Sequence, residues 1–365
     1  MKNVIRKAEY LETDGRFKLV VQTRAPVFDA ALRTEGGRVP DAFNRDEPYD
    51  RTGHVFPLDE APRADALRLA YRLTPAGPVH SARFGEPIEK RTADEAFAEA
   101  DRGWHVVGVK AAQVAPGLVH TWFDIVTRDG APVRAFLLDA DMTRVSLRVG
   151  TPDDGRRNRL VRQTVPDMAS AAEKKGFSVL AAVNADFFDI FGDCHPAGLC
   201  VKDGVPVANT GSDRYFVGTL RGGKPVIASL PEDGTLLSRL EQAAGGLELL
   251  LDGGEIADVG LIEPFGMNRH PRTAAGVTDD DHLLLLVVDG RIPDHSAGAT
   301  LADTALFLQR NGAVRAVNLD GGGSSVMYLR QDGALRLQNR PADLFRPNDC
   351  IIREEFDCLL FCEKR

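Results

Sequence analysis

The chain has 365 residues, enough for one large or two ordinary domains with their own cores. It is 43% hydrophobic and 27% charged, a globular composition. Its formal net charge of −8 excludes a nucleic-acid or anionic-membrane partner held through bulk charge.

No run of about 18 apolar residues occurs, so no membrane-spanning helix is expected. The N-terminal MKNVIRKAEYLETDGRF has no apolar h-region. The expected location is therefore cytoplasmic, with secretion after removal of a signal as the alternative. Cys194, Cys200, Cys350, Cys358 and Cys362 are odd in number and match no zinc spacing. Reduced thiols are expected, with no metal site and no cofactor.

Residues 1–104 read as an N-terminal accessory region and 105–365 as the catalytic domain. Phe17 to Gln22 has the pattern of a strand. Residues 34–64, rich in Gly, Pro, Arg and Asp, predict a long irregular excursion. Thr92 and Glu95 fit a capping box opening a helix that Gly103 closes. From Trp104 the chain turns dense in strands: 106–109, 120–126, 133–139 and 145–149, with turns such as 128–130 between them. Pro166 and Gly176 bracket a helix. An apolar strand, 177–183, then ends at Asn184 and Asp186. Pro196-Ala-Gly198 leads into Leu199 to Val201, and Lys202-Asp-Gly204 reads as a hairpin turn.

A further cluster runs from Asn268 through Arg272 to Val277. Leu283 to Val288 is a buried-strand run ending at Asp289-Gly290-Arg291. Thr300 caps a helix to about Gln309, which feeds the strand 314–319. This strand–helix–strand unit has the length of a crossover, placing Asp289 and Asp320 at the same end of neighbouring or near-neighbouring parallel strands. After Asn318 and Asp320 come Gly321, Gly322, Gly323, Ser324 and Ser325. A triple glycine after a strand-end acid is entropically costly. Its use is either a tight hairpin alone or close approach of a ligand to bare N–H groups, which cradle anions well. The run 357–362 reads only as a closing strand. The fold class expected is α+β: mixed β-sheets, few helices, and the crossover carrying the site.

Four segments together resemble the phosphodiester glycosidase family: Asn184 to Phe188, Arg272 to Gly276, Asp289 to Arg291, and Leu319 to Ser325. Each is weak alone, but the order and spacing agree across roughly residues 105–335. Ala185 and Asp186 stand where the family has glycines. The resemblance implies cleavage between an anomeric carbon and a phosphodiester oxygen. Asp289 and Asp320 are then the acting carboxylates. Arg272 and Arg291 contact phosphate, and the N–H groups of Gly321 to Gly323, with Ser324, add dipoles. Asn184 and Asn318 orient sugar hydroxyls or a water, and Asp186 and Gly198 line the site. The expected partner is a small or polymeric glycosyl phosphate, with oligomeric state open. A non-catalytic module that binds glycosyl phosphate is the alternative. A nucleotide site is disfavoured, because the glycines lead into a strand rather than a helix.

Overall fold

A computed structural model describes residues 3–13, 16–41, 51–85, 88–90, 104–127, 130–156, 161–190, 194–257, 266–292, 294–346 and 349–364. The architecture is mostly strand with few helices. By contact density there are two units. The first takes in Met1–Lys110, Trp122–Ala135 and Ile292–Ala297, and the second takes in Ala111–Thr121, Phe136–Arg291 and Gly298–Arg365. The sequence reading places a single break at 104/105.

In the first unit the long strand Arg16–Thr34 organises a sheet. It pairs antiparallel with Ile5–Thr13, Gly37–Pro40, Arg51–Leu58 and Arg68–Arg72. The expected irregular excursion over 34–64 is therefore corrected, since it contains two strands. Its Gly, Pro and Arg content hides the buried run His54, Val55 and Phe56, which supplies the core with Leu19, Val21, Leu32 and Leu69. The partner strand, remote in sequence, overrides local propensity. The proposed capping box at 92–95 and its Gly103 stop lie outside the described residues, as does most of the 128–130 turn.

The second unit holds most of the remaining strands. One sheet runs Val145–Gly150, Cys358–Glu363, Val179–Asn184, Met327–Gln331, Ala334–Leu337, all antiparallel. The helix Val165–Lys174, capped by Thr164, covers it with Val165, Met168, Ala169 and Ala172. A second sheet places Arg272–Val277 between Arg315–Leu319 and His282–Val288, antiparallel to both. The two flanking strands thus run in the same direction without touching. Between them in sequence lies the helix Leu301–Arg310, with a capping box of Thr300 and Asp303. Leu283 to Val288 are each 2% exposed or less. Their burial stabilises this sheet by on the order of 10 kcal/mol. In a third sheet the Lys202–Val205 hairpin turns through Asp203 and Gly204, both at positive φ. Among the described residues no helix is long and apolar enough to cross a membrane.

Candidate active site

Strand register brings the ends of the sheets holding Val179–Asn184 and Arg272–Val277 together. Asn184 lies opposite Cys358, so the residues just beyond, Asp186 and Asp357, meet. Asp186 N–H donates to Asp357 Oδ1 at 2.9 Å. Leu319 lies opposite Thr273, and the next residue, Asp320, donates its N–H to Ala185 O at 2.9 Å. Asn184 clamps this junction. Its Nδ2 donates to Asp320 O at 2.6 Å, and its Oδ1 accepts from the Thr273 hydroxyl and Val326 N–H at 3.0 and 3.1 Å. Both ends of the Asn184 amide are thus engaged by protein.

Four acids gather here. Asp186, Glu355 and Asp357 are 1% exposed or less, while Asp320 keeps an edge to solvent. Burial pushes Asp320 up to about 6, although the Ser324 hydroxyl and Arg353 pull it down. Burial takes Asp357 up to about 7, against the Asp186 N–H. Burial, then the neighbouring Asp357, raises Asp186 well above the usual carboxylate range. Burial, then Asp320, does the same to Glu355. Asp186 Oδ1, Asp357 Oδ2 and both Glu355 oxygens find no hydrogen-bond donor among the described residues. Acids in such surroundings favour their neutral form. The result is a pair of acids, Asp320 and Asp357, poised to ionise near neutral pH beside Asp186 and Glu355, which are raised further toward the neutral form.

Asp186 sits in a slot of bare backbone. Gly198 N–H donates to its Oδ2 at 2.8 Å. A Cβ on Gly245 would lie 2.6 Å from that oxygen and 2.6 Å from Gly198 Cα, with backbone on one side that cannot move aside. Gly245→Ala is therefore expected to lower stability by about 1–3 kcal/mol and to displace Asp186. Denaturant melts check the first effect, and an unchanged midpoint would contradict it.

The glycine turn carries the cations. Gly322 stands at φ 62° and its N–H donates to Pro271 O at 2.9 Å. The Arg291 guanidinium lies over it: a Cβ at Gly322 would come within 3.1 Å of Nη1. Ser324 Oγ donates to Asp320 Oδ2 at 2.6 Å and accepts from Arg353 Nη1 at 3.1 Å. Arg353 Nε and Nη2 both reach Asp343 Oδ2, at 3.1 and 2.7 Å.

Other residues expected in the site are placed differently. Arg272 is fully buried, its Nε and Nη2 donating to Ala299 O and Asn268 O at 3.0 Å each. Burial lowers its pKa to about 10. Asp289 accepts from Asn339 Nδ2 at 3.0 Å and twice from Arg340 N–H, at 3.0 and 3.1 Å, so it fastens the 339–340 loop. Asn318 Nδ2 donates to Glu248 Oε2 at 2.8 Å. Asp320, Asp186, Gly198, Arg291, the glycines and Ser324 are brought together; Asp289 and Arg272 hold backbone.

Sequence reasoning missed Arg353, Glu355, Asp357 and Asp343. A signal existed for three of them: Arg353-Glu-Glu-Phe-Asp357 packs charge directly before the apolar strand Cys358–Glu363. Strand-end acids mark the site elsewhere in this chain, and here they mark it again.

Residues 177–351 match the family described as phosphodiester glycosidase. The resemblance is shown for this segment. Over 185 residues the chain is 30% identical to the mouse (Mus musculus) N-acetylglucosamine-1-phosphodiester alpha-N-acetylglucosaminidase, covering 46% of this chain and 34% of that one. The chain thus spans about a third of that relative's length. The catalytic domain of the zebrafish N-acetylglucosamine-1-phosphodiester alpha-N-acetylglucosaminidase, auto-inhibited by its pro-peptide, superposes with a TM-score of 0.56 at 26% identity. That superposition covers 73% of this chain and 90% of the zebrafish chain. A hypothetical protein from Synechocystis shares the fold, with a TM-score of 0.51 at 14% identity over 99% of this chain and 80% of its own. The phosphodiester glycosidase match ends at residue 351, so Arg353, Glu355 and Asp357 lie beyond it.

Proposed function

We propose that this protein is a phosphodiester glycosidase that hydrolyses the bond between the anomeric carbon of a sugar and a phosphodiester oxygen. The sugar of the named relatives, N-acetylglucosamine, is the first substrate to consider. The observation that carries the reading is the Asp320–Ser324–Arg353 chain at the glycine turn, set on a floor of three buried acids. An oxocarbenium-like centre needs a carboxylate beside it, as nucleophile or as base for water. Asp320 fits, being partly exposed and ionised above about pH 6.

In the net reaction water adds to the anomeric carbon, the carbon–oxygen bond breaks, and the phosphate departs with that bond's electron pair. The proton from water passes to a carboxylate and from it to the departing phosphate or to solvent. Phosphate monoester has a second pKa of about 6 and leaves without strong acid help. Cations are needed in its place, and Arg291 and Arg353 flank the turn where the phosphate would sit. Planar guanidiniums suit phosphate oxygens. The second acid, expected at Asp289, is assigned instead to Glu355, whose burial and neighbouring Asp320 raise it toward the protonated form. Asp289 and Arg272 are assigned to positioning, because protein groups already hold them.

Arg353→Ala is expected to slow a sugar-1-phosphodiester by roughly 10²-fold or more, while an activated aryl glycoside loses much less. Steady-state kinetics on both substrates test this. Equal losses would remove Arg353 from the phosphate. Binding without turnover by the native chain would favour the non-catalytic module.

A further inference from the structure

Resting on that reading, we propose that Asp343 sets the charge selectivity of the phosphate subsite: it admits the singly charged phosphodiester and repels the doubly charged monoester left by cleavage.

The geometry is specific. Arg353 divides its fork, with Nη1 toward Ser324 and through it Asp320, and with Nε and Nη2 on Asp343 Oδ2. The pair is partly exposed, its side chains 23% and 33%. It crosses directly over the glycine turn. A Cβ on Gly323 would fall 2.2 Å from Asp343 Oδ2 and 2.3 Å from Arg353 Nη2. The bare Cα at 323 is thus accounted for by the ion pair passing over it. Asp343 is also fixed from its own backbone, where its carbonyl accepts from Ile351 N–H at 2.8 Å.

Charge then decides. Arg291 and Arg353 supply two positive charges at the turn, Asp343 returns one negative, and Asp320, ionised above about pH 6, returns a second. A diester adds one negative charge to this balanced set. Hydrolysis converts that group to a monoester of charge about −1.5 to −2 at pH 7. Without Asp343 two guanidiniums would grip this product. With it, the added charge meets a carboxylate already on the arginine fork, and release is eased. An exposed pair on its own contributes little to stability, so a role in the subsite gives the contact a purpose that folding does not.

The test compares methyl phosphate with dimethyl phosphate, binding being measured by calorimetry or ligand NMR on the full chain. In Asp343→Asn, methyl phosphate is expected to bind about tenfold more tightly above pH 7, while dimethyl phosphate changes much less. The gain should fade as pH falls below about 6, where the monoester loses its second charge. It should vanish in the Asp343→Asn, Arg353→Ala double variant. Weaker binding of both ligands in Asp343→Asn would mean that the carboxylate only orients Arg353, and would overturn the proposal. So would an equal change for both ligands, or no binding of methyl phosphate to either protein. These readouts need no turnover, so a chain that binds phosphate selectively but cleaves nothing would sink the catalytic reading alone.

Discussion

Asp320→Asn is expected to fold normally and to lose roughly 10²–10⁴-fold in hydrolysis of a sugar-1-phosphodiester. The amide keeps the shape of the carboxylate and an oxygen for the Ser324 hydroxyl, so the turn from Gly321 to Ser324 survives. What it removes is the negative charge beside the anomeric carbon. The native pH profile gives a second reading. Asp320 ionises at about 6, so kcat/KM should climb through that pH and then level. Far-UV circular dichroism and steady-state kinetics of the variant decide the case. Retention of most activity, or a profile flat between pH 5 and 8, would contradict the assignment.

The same acids make the protein less stable as pH rises. A carboxyl whose folded pKa exceeds its unfolded value of about 3.9 favours the folded state most at low pH. That contribution is lost as pH climbs through the folded value. For Asp320, with a folded pKa of about 6, the loss is about 2 kcal/mol between pH 4 and 7. Asp357, at about 7, and Asp186 and Glu355, both raised, act in the same direction. The opposite sign comes from Asp154. Its pKa is lowered because Arg148 and Lys202 outweigh its burial, so its contribution is lost only as pH falls below the carboxylate range. The melting temperature should therefore peak near pH 5 and decline toward pH 8. Asp357→Asn, which cannot ionise, should flatten that decline and melt higher than the native chain at pH 8. Thermal melts across the range check this. A melting temperature that rises steadily from pH 5 to 8 would show that the cluster is not buried as described.

Much of this arrangement was legible in the sequence, for identifiable reasons. Strand-end polar residues after apolar runs, at Asn184, Asp289 and Asp320, are local signals, and the strands they close are where the pattern put them. The Thr300 cap and the Pro166 start of the earlier helix were equally readable, because helix starts are decided within one turn. Pairing was not readable. Nothing local says that Asp357 meets Asp186, since that contact depends on the register of Cys358 against Asn184 across 174 positions of chain. Arg272 shows the other limit. An arginine opening a strand reads as a ligand contact, yet its fork is turned onto the carbonyls of Asn268 and Ala299. In the first unit, Gly37–Pro40 and Arg51–Leu58 became strands only because Arg16–Thr34 offered them an edge.

Incubation of the purified chain with an N-acetylglucosamine-1-phosphodiester, with both products quantified, tests the central claim most directly. The account predicts equal amounts of free sugar and phosphomonoester, formed by the native chain and nearly abolished in Asp320→Asn. Release of an alcohol with the sugar still bearing phosphate, or no products at all, would contradict it.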